Sequence, residues 1–110
     1  MGFPFDGREI ATDARGYLLD RADWSRALAE AMAAADGITL SAEHWEVIDF
    51  VRAYHDEYAM APPMRLLVKA LAAAHGAEKA ESRHLYRLFP DGPAKQACRY
   101  AGLPRPVSCI

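Results

Sequence analysis

Apolar residues recur at helical spacing over most of this chain. Trp24, Leu28, Ala31, Met32 and Ala35 share one face of a predicted helix over 21–35, with Asp20 as its cap and Gly37 at its end. Ser41 caps the next, 42–58, in which Trp45, Ile48, Val51, Tyr54 and Tyr58 form the stripe. Ala61-Pro62-Pro63 breaks the chain, and Pro63 opens a third helix, Met64 to His75, that Gly76 stops. A short fourth helix runs from Ser82 to Phe89 with Leu85, Leu88 and Phe89 apolar. Phe89-Pro-Asp-Gly92 then forms a turn, Pro93 opens a fifth helix and Gly102 closes it.

The two ends read differently. Glu9–Thr12 and Tyr17–Asp20 flank Asp13-Ala-Arg-Gly16, a polar connection whose glycine can take positive φ, and together they predict a β-hairpin over 9–20. Leu103-Pro-Arg-Pro106 cannot continue a helix, because each proline removes a donor and disfavours helical geometry in the residue before it. The expected fold is mainly α: a small orthogonal bundle of about five helices over 21–101, an N-terminal hairpin and an extended, mobile C-terminal arm over 102–110.

Composition fits one packed domain. The 110 residues are 52% hydrophobic and 25% charged, ordinary for a globular chain. No apolar run approaches the roughly 20 residues of a membrane span, and the start lacks the layout of a secretory signal. The expectation is a cytoplasmic protein. The four histidines, His44, His55, His75 and His84, are scattered without metal-ligand spacing and read as surface or packing residues, so no metal site is expected.

Charge is unevenly spread. Residues 1–64 carry 5 Lys/Arg and 12 Asp/Glu, whereas residues 65–110 carry 8 and 3. The basic half also holds both cysteines, Cys98 and Cys109. Basic surroundings can favour a thiolate, steer an acidic partner or bind nucleic acid.

A reducing compartment makes a cysteine pair more often redox-active than structural. On one continuous helix Cys98 and Cys109 would lie about 16 Å apart, beyond the roughly 4.4 to 6.8 Å a disulfide allows. The Gly-Leu-Pro-Arg-Pro break removes that limit, since an extended arm from Gly102 to Cys109 spans up to roughly 25 Å. The arm can fold back on Cys98 or enter another protein. Closing such a loop stabilises by about 3 kcal/mol at most, which suits a reversible switch better than a staple. Access favours Cys109 as the attacking or sulfur-accepting thiol, while Cys98 reads either as its partner or as a small apolar filler among Ala94, Ala97 and Ala101.

The segment Leu85-Tyr-Arg-Leu-Phe-Pro-Asp-Gly-Pro-Ala-Lys-Gln-Ala-Cys-Arg-Tyr-Ala-Gly-Leu-Pro-Arg-Pro106, followed by a penultimate cysteine, resembles the DsrC/TusE family of sulfur carriers. DsrC is also called the gamma subunit of dissimilatory sulfite reductase. The likeness extends to Asp13-Ala-Arg-Gly-Tyr-Leu18, Glu43-His-Trp-Glu-Val-Ile48 and Ala61-Pro-Pro-Met-Arg-Leu-Leu67. The resemblance implies that Cys109 accepts sulfur as a persulfide. It also implies the DsrC type, because those members carry a second cysteine at the position of Cys98 whereas typical TusE members lack it.

On that reading the arm enters dissimilatory sulfite reductase and brings Cys109 to sulfur at the partner's siroheme, the chain itself binding no cofactor. Cys98 and Cys109 then share one sulfur as a trisulfide, which a membrane complex reduces. In sulfur oxidisers small sulfurtransferases would load the carrier instead. The chain would be a monomeric co-substrate rather than an independent enzyme. The family usually ends Thr-Gly-Cys-Val, so Ser108 and Ile110 depart from it, and Ser108 restricts the backbone beside the thiol. Arg65, Lys69, Arg83, Arg87, Lys95, Arg99 and Arg105 are candidates for a basic surface that guides the arm or a sulfur anion.

Two alternatives stand beside this. One is a TusE-like relay passing persulfide sulfur from Cys109 alone toward tRNA 2-thiouridine. The other is a helix-turn-helix DNA binder, disfavoured because no single helix concentrates Lys and Arg as a recognition helix does.

Overall fold

The structure, a computed structural model, describes residues 2–76 and 82–106. The element order is β1 (Gly2–Phe5), β2 (Arg8–Ala11), a 3-10 turn (Arg21–Asp23), α1 (Arg26–Ala35), α2 (Ala42–Tyr58), α3 (Met64–His75), α4 (Ser82–Leu88) and α5 (Pro93–Tyr100). The fold is mainly helical with an N-terminal antiparallel hairpin, as the hydrophobic pattern predicts.

The hairpin lies earlier than 9–20. β1 pairs with β2 in the register Gly2↔Ala11, Phe3↔Ile10, Pro4↔Glu9 and Phe5↔Arg8. Asp6 and Gly7 form its two-residue turn, both at positive φ (52° and 78°), which is the Asp-Gly combination whose twist suits adjoining strands. The alternation places Ile10 in the core and leaves Phe3 and Phe5 half-buried against it. The expected second strand, Tyr17–Asp20, contributes only the bridge Thr12↔Leu18 and the bond from Leu19 N–H to Ala11 C=O at 3.1 Å. Asp13 curls the intervening loop by accepting from the N–H groups of Arg15 and Tyr17 at 2.8 and 3.0 Å, a side-chain turn that competes with strand pairing.

The first predicted helix is divided. Asp20 caps only the 3-10 turn, accepting from Ala22 N–H at 2.9 Å. Trp24 is extended (φ −72°, ψ 142°), and Ser25 caps α1 through Leu28 N–H at 3.0 Å. The buried face of α1 is accordingly Leu28, Ala29, Met32 and Ala33, with Ala35 exposed.

In α2 the buried positions are His44, Val47, Ile48 and Val51. Tyr58 is 54% exposed because the last turn runs past the core before Ala59 ends the helix in the left-handed region (φ 55°). His44 is buried rather than superficial. Its Nδ1 accepts from Ser41 N–H at 3.0 Å, and its Nε2 lies 2.9 Å from Leu88 C=O. This requires the neutral imidazole protonated at Nε2, and burial lowers its pKa.

α2 lies at the centre, packed on α3 and α5, while α1 also meets α5. α5, only eight residues long, therefore receives neighbours on several sides. Gln96, Ala97, Cys98 and Tyr100 are all buried. No helix among the described residues is long and apolar enough to cross a membrane.

Candidate functional site

Cys98 sits in the last turn of α5, fully buried at 0% exposure. Burial in apolar surroundings pushes its thiol up to about 12, because a thiolate there would lose its hydration without gaining a counter-charge. Tyr17 packs nearby, with its hydroxyl donating to Lys95 C=O at 3.1 Å. Burial, and then the neighbouring Cys98, push that phenol upward as well. Cys109, together with Val107, Ser108 and Ile110, lies outside the described residues.

The end of α5 fixes where the arm begins. A helix leaves its last carbonyls without intrahelical donors, and here each is matched. Leu103 N–H reaches Cys98 C=O at 3.0 Å and Gly102 N–H reaches Arg99 C=O at 3.2 Å, a Schellman ending with Gly102 at φ 72°. Trp24 Nε1 donates to Tyr100 C=O and Arg52 Nη1 to Ala101 C=O, both at 2.6 Å. The Arg52 guanidinium also stacks 3.7 Å from the centre of the Trp24 ring. Gly102 is required twice over, since a Cβ there would come within 2.6 Å of Trp24 Cδ1.

Beyond Gly102 the chain stays against the body as far as it is described. Leu103 is fully buried and Pro106 is buried, with Pro104 and Arg105 exposed between them. The chain is therefore anchored as far as Pro106 and not only to Gly102.

Of the basic residues expected near the thiols, the structure gathers three. Lys95, Arg99 and Arg105 line one cavity of about 320 Å³ with Tyr17 and Asp36. Arg15, from the Asp13–Gly16 turn, joins them. Its only sequence signal is its place in a turn that the fold carries across to α5. Arg99 pairs with Asp36, which also accepts from Tyr100 hydroxyl at 2.6 Å. Asp91 lines it as well, so Arg15, Lys95, Arg99 and Arg105 stand against the carboxylates of Asp36 and Asp91 and the cavity presents a net positive face. Arg65 and Lys69 on α3, and Arg83 and Arg87 on α4, are exposed and do not line it.

Trp24 and Arg52 are the residues the sequence reading passes over at this site. Trp24 reads as a core anchor, and it is half-buried against the core, but its indole N–H serves the helix end. Nothing in the spacing of Trp24, Arg52 and Gly102 signals that they meet.

The family model described as DsrC like protein matches residues 4–110. A sulfurtransferase TusE from Yersinia pseudotuberculosis is 58% identical over 106 residues, covering 96% of this chain and 98% of that protein. Among solved structures, Allochromatium vinosum DsrC is 48% identical with a TM-score of 0.83, covering 99% of this chain and 97% of that one. The oxidized gamma-subunit of dissimilatory sulfite reductase (DsrC) from Archaeoglobus fulgidus is 37% identical with a TM-score of 0.89, and each chain is covered in full.

Proposed function

Because the chain belongs to the DsrC like protein family, we propose that it is a sulfur carrier working as a TusE-like persulfide relay, with Cys109 as its single working thiol. The role of Cys98 as a partner in a trisulfide, which the resemblance to DsrC implies, gives way to this reading. Identity to the TusE sulfurtransferase, 58%, exceeds that to the two DsrC structures, 48% and 37%. The observation that carries the choice is the burial of Cys98, whose thiol is pushed up to about 12. At neutral pH such a sulfur is neither exposed nor ionised, and exchange needs a thiolate with access to its target.

The step is a transfer without net redox. The Cys109 thiolate attacks the outer sulfur of a donor protein's persulfide. One S–S bond forms as another breaks, and the donor cysteine leaves as thiolate. The acceptor then repeats the attack on the outer sulfur of the Cys109 persulfide. The cations at the arm's root supply a field that favours each anionic form as it approaches. Small sulfurtransferases fit as donors, and the proposed destination is tRNA 2-thiouridine.

Incubation with a persulfide-loaded sulfurtransferase should add the mass of one sulfur atom to Cys109, as read by intact mass and peptide mapping. Cys98→Ala should load and unload as the parent does, and Cys109→Ser should not load. Alanine is the correct probe at 98, since serine would bury a hydroxyl in an apolar site. A second reading, the two-thiol relay with dissimilatory sulfite reductase, is favoured by the presence of Cys98 itself. If Cys98→Ala loads but no longer delivers sulfur, that reading replaces the first.

A further inference from the structure

The carbonyls at the end of α5 could have been left to water, as most helix ends on a surface are. Instead two side chains from separate elements converge on them. Trp24, in the extended residue pair before α1, and Arg52, in the middle of α2, each donate at 2.6 Å to consecutive carbonyls, Tyr100 and Ala101. They also hold each other, guanidinium over indole at 3.7 Å. A Cβ on Gly102 would come within 2.6 Å of the same indole, so the chain passes the helix end through a notch that accepts no side chain. Leu103 and Pro106 then bury themselves on the way out.

We infer that Trp24 and Arg52 are positioning residues for the sulfur relay: they form a clamp that fixes the point and direction from which the arm presents Cys109 to a partner. The inference rests on the reading of Cys109 as the sulfur-carrying thiol. Neither residue touches the sulfur, and their effect passes through the location of the arm's root.

The size of the effect follows from chain length. With the root held as far as Pro106, three residue steps separate the anchor from Cys109, a reach of at most about 10 Å. With the clamp broken and the packing of Leu103 and Pro106 loosened with it, seven residue steps separate Gly102 from Cys109 and the reach grows to roughly 25 Å. For a flexible tether the volume available to the thiol grows as the 3/2 power of its length, about fourfold between three and seven steps. Its effective concentration at a docked partner's sulfur falls by the same factor. Chemistry at the thiol itself, which needs no docking, stays as it was.

The test compares two ways of loading Cys109. Inorganic polysulfide reaches the thiol by diffusion, whereas a persulfide-loaded sulfurtransferase must dock. Trp24→Phe keeps an aromatic ring, though a smaller one, and removes the N–H. Arg52→Gln removes the guanidinium, and Arg52→Lys restores a donor and the charge. All are made in the Cys98→Ala background, with folding checked by circular dichroism. The expected result is unchanged loading by polysulfide and about fourfold slower loading by the sulfurtransferase for Trp24→Phe and Arg52→Gln, with Arg52→Lys in between. A nitroxide on Cys109 should sharpen its spectrum in both impaired variants.

Equal loss with both donors, or unchanged or faster transfer from the sulfurtransferase, overturns the clamp. Should Trp24→Phe fail to fold, Arg52→Gln and the nitroxide spectrum decide alone. Failure of the unmodified protein to load from either donor would instead overturn the sulfur-carrier reading, leaving the two outcomes distinguishable.

Discussion

At pH 7.5 a cysteine with an ordinary pKa near 8.5 is about one-tenth thiolate. A thiol pushed up to about 12, as Cys98 is, is ionised about three thousandfold less. Complete burial adds a second barrier, since no alkylating reagent reaches the sulfur without an opening of the α5 packing. Labelling of the native protein with iodoacetamide, quenched at intervals and mapped by peptide mass, should therefore modify Cys109 in the time course of a free thiol. Cys98 should remain unmodified over at least a thousandfold longer. In guanidinium chloride the two should react alike, which controls for sequence effects. Cys98→Ala should leave the Cys109 rate unchanged and cost at most about 1 kcal/mol in denaturant midpoint analysis, because one sulfur is lost from an apolar site. Native labelling of Cys98 within tenfold of the Cys109 rate would refute both the burial argument and the single-thiol relay that depends on it.

Two further outcomes test the structure around the site. Gly102→Ala should destabilise by about 2 kcal/mol or more in chemical denaturation, since a left-handed alanine costs about 1 kcal/mol and its Cβ would meet Trp24 at 2.6 Å; a loss below about 0.5 kcal/mol contradicts the notch at the arm's root. The neutral His44 has its pKa lowered by burial, so the folded state binds fewer protons there than the unfolded chain. Its contribution is thus complete above the unfolded value of about 6.5 and declines as the pH falls below it. Stability measured from pH 7 to pH 5 should drop more steeply in the parent than in His44→Gln, and parallel curves would remove His44 as the cause.

Much of this molecule is written in short-range chemistry. Ser41, Gly76, Pro93 and Gly102 set helix ends through φ preferences and capping groups that act within a few residues. The observed bounds of α2 and α3 therefore match the predicted ones. The hairpin turn was equally local. Phe5-Asp-Gly-Arg8 holds the strongest signal for it, and the loop after Thr12 carries a competing one because Asp13 and Gly16 also favour a turn. The likeness to sulfur carriers was legible for a related reason, since the α5 motif and the penultimate cysteine are contiguous sequence.

The burial of Cys98 was not legible, because α5 carries Cys98 between Lys95 and Arg99 and only its neighbours decide which face is covered. α5 packs against α1, α2 and α4, Cys98 is wholly buried, and desolvation raises the thiol's pKa whatever charges stand nearby in sequence. The same holds for Trp24, Arg52 and Arg15. Hydrogen bonds across 76 and 49 residues of chain join the first two to the helix end. Local residue order determined which segments are helices and what family they belong to. Packing alone decided that the Cys98 thiol is sealed from solvent and how the end of α5 is held, because desolvation and donor geometry depend on residues brought together only by the fold.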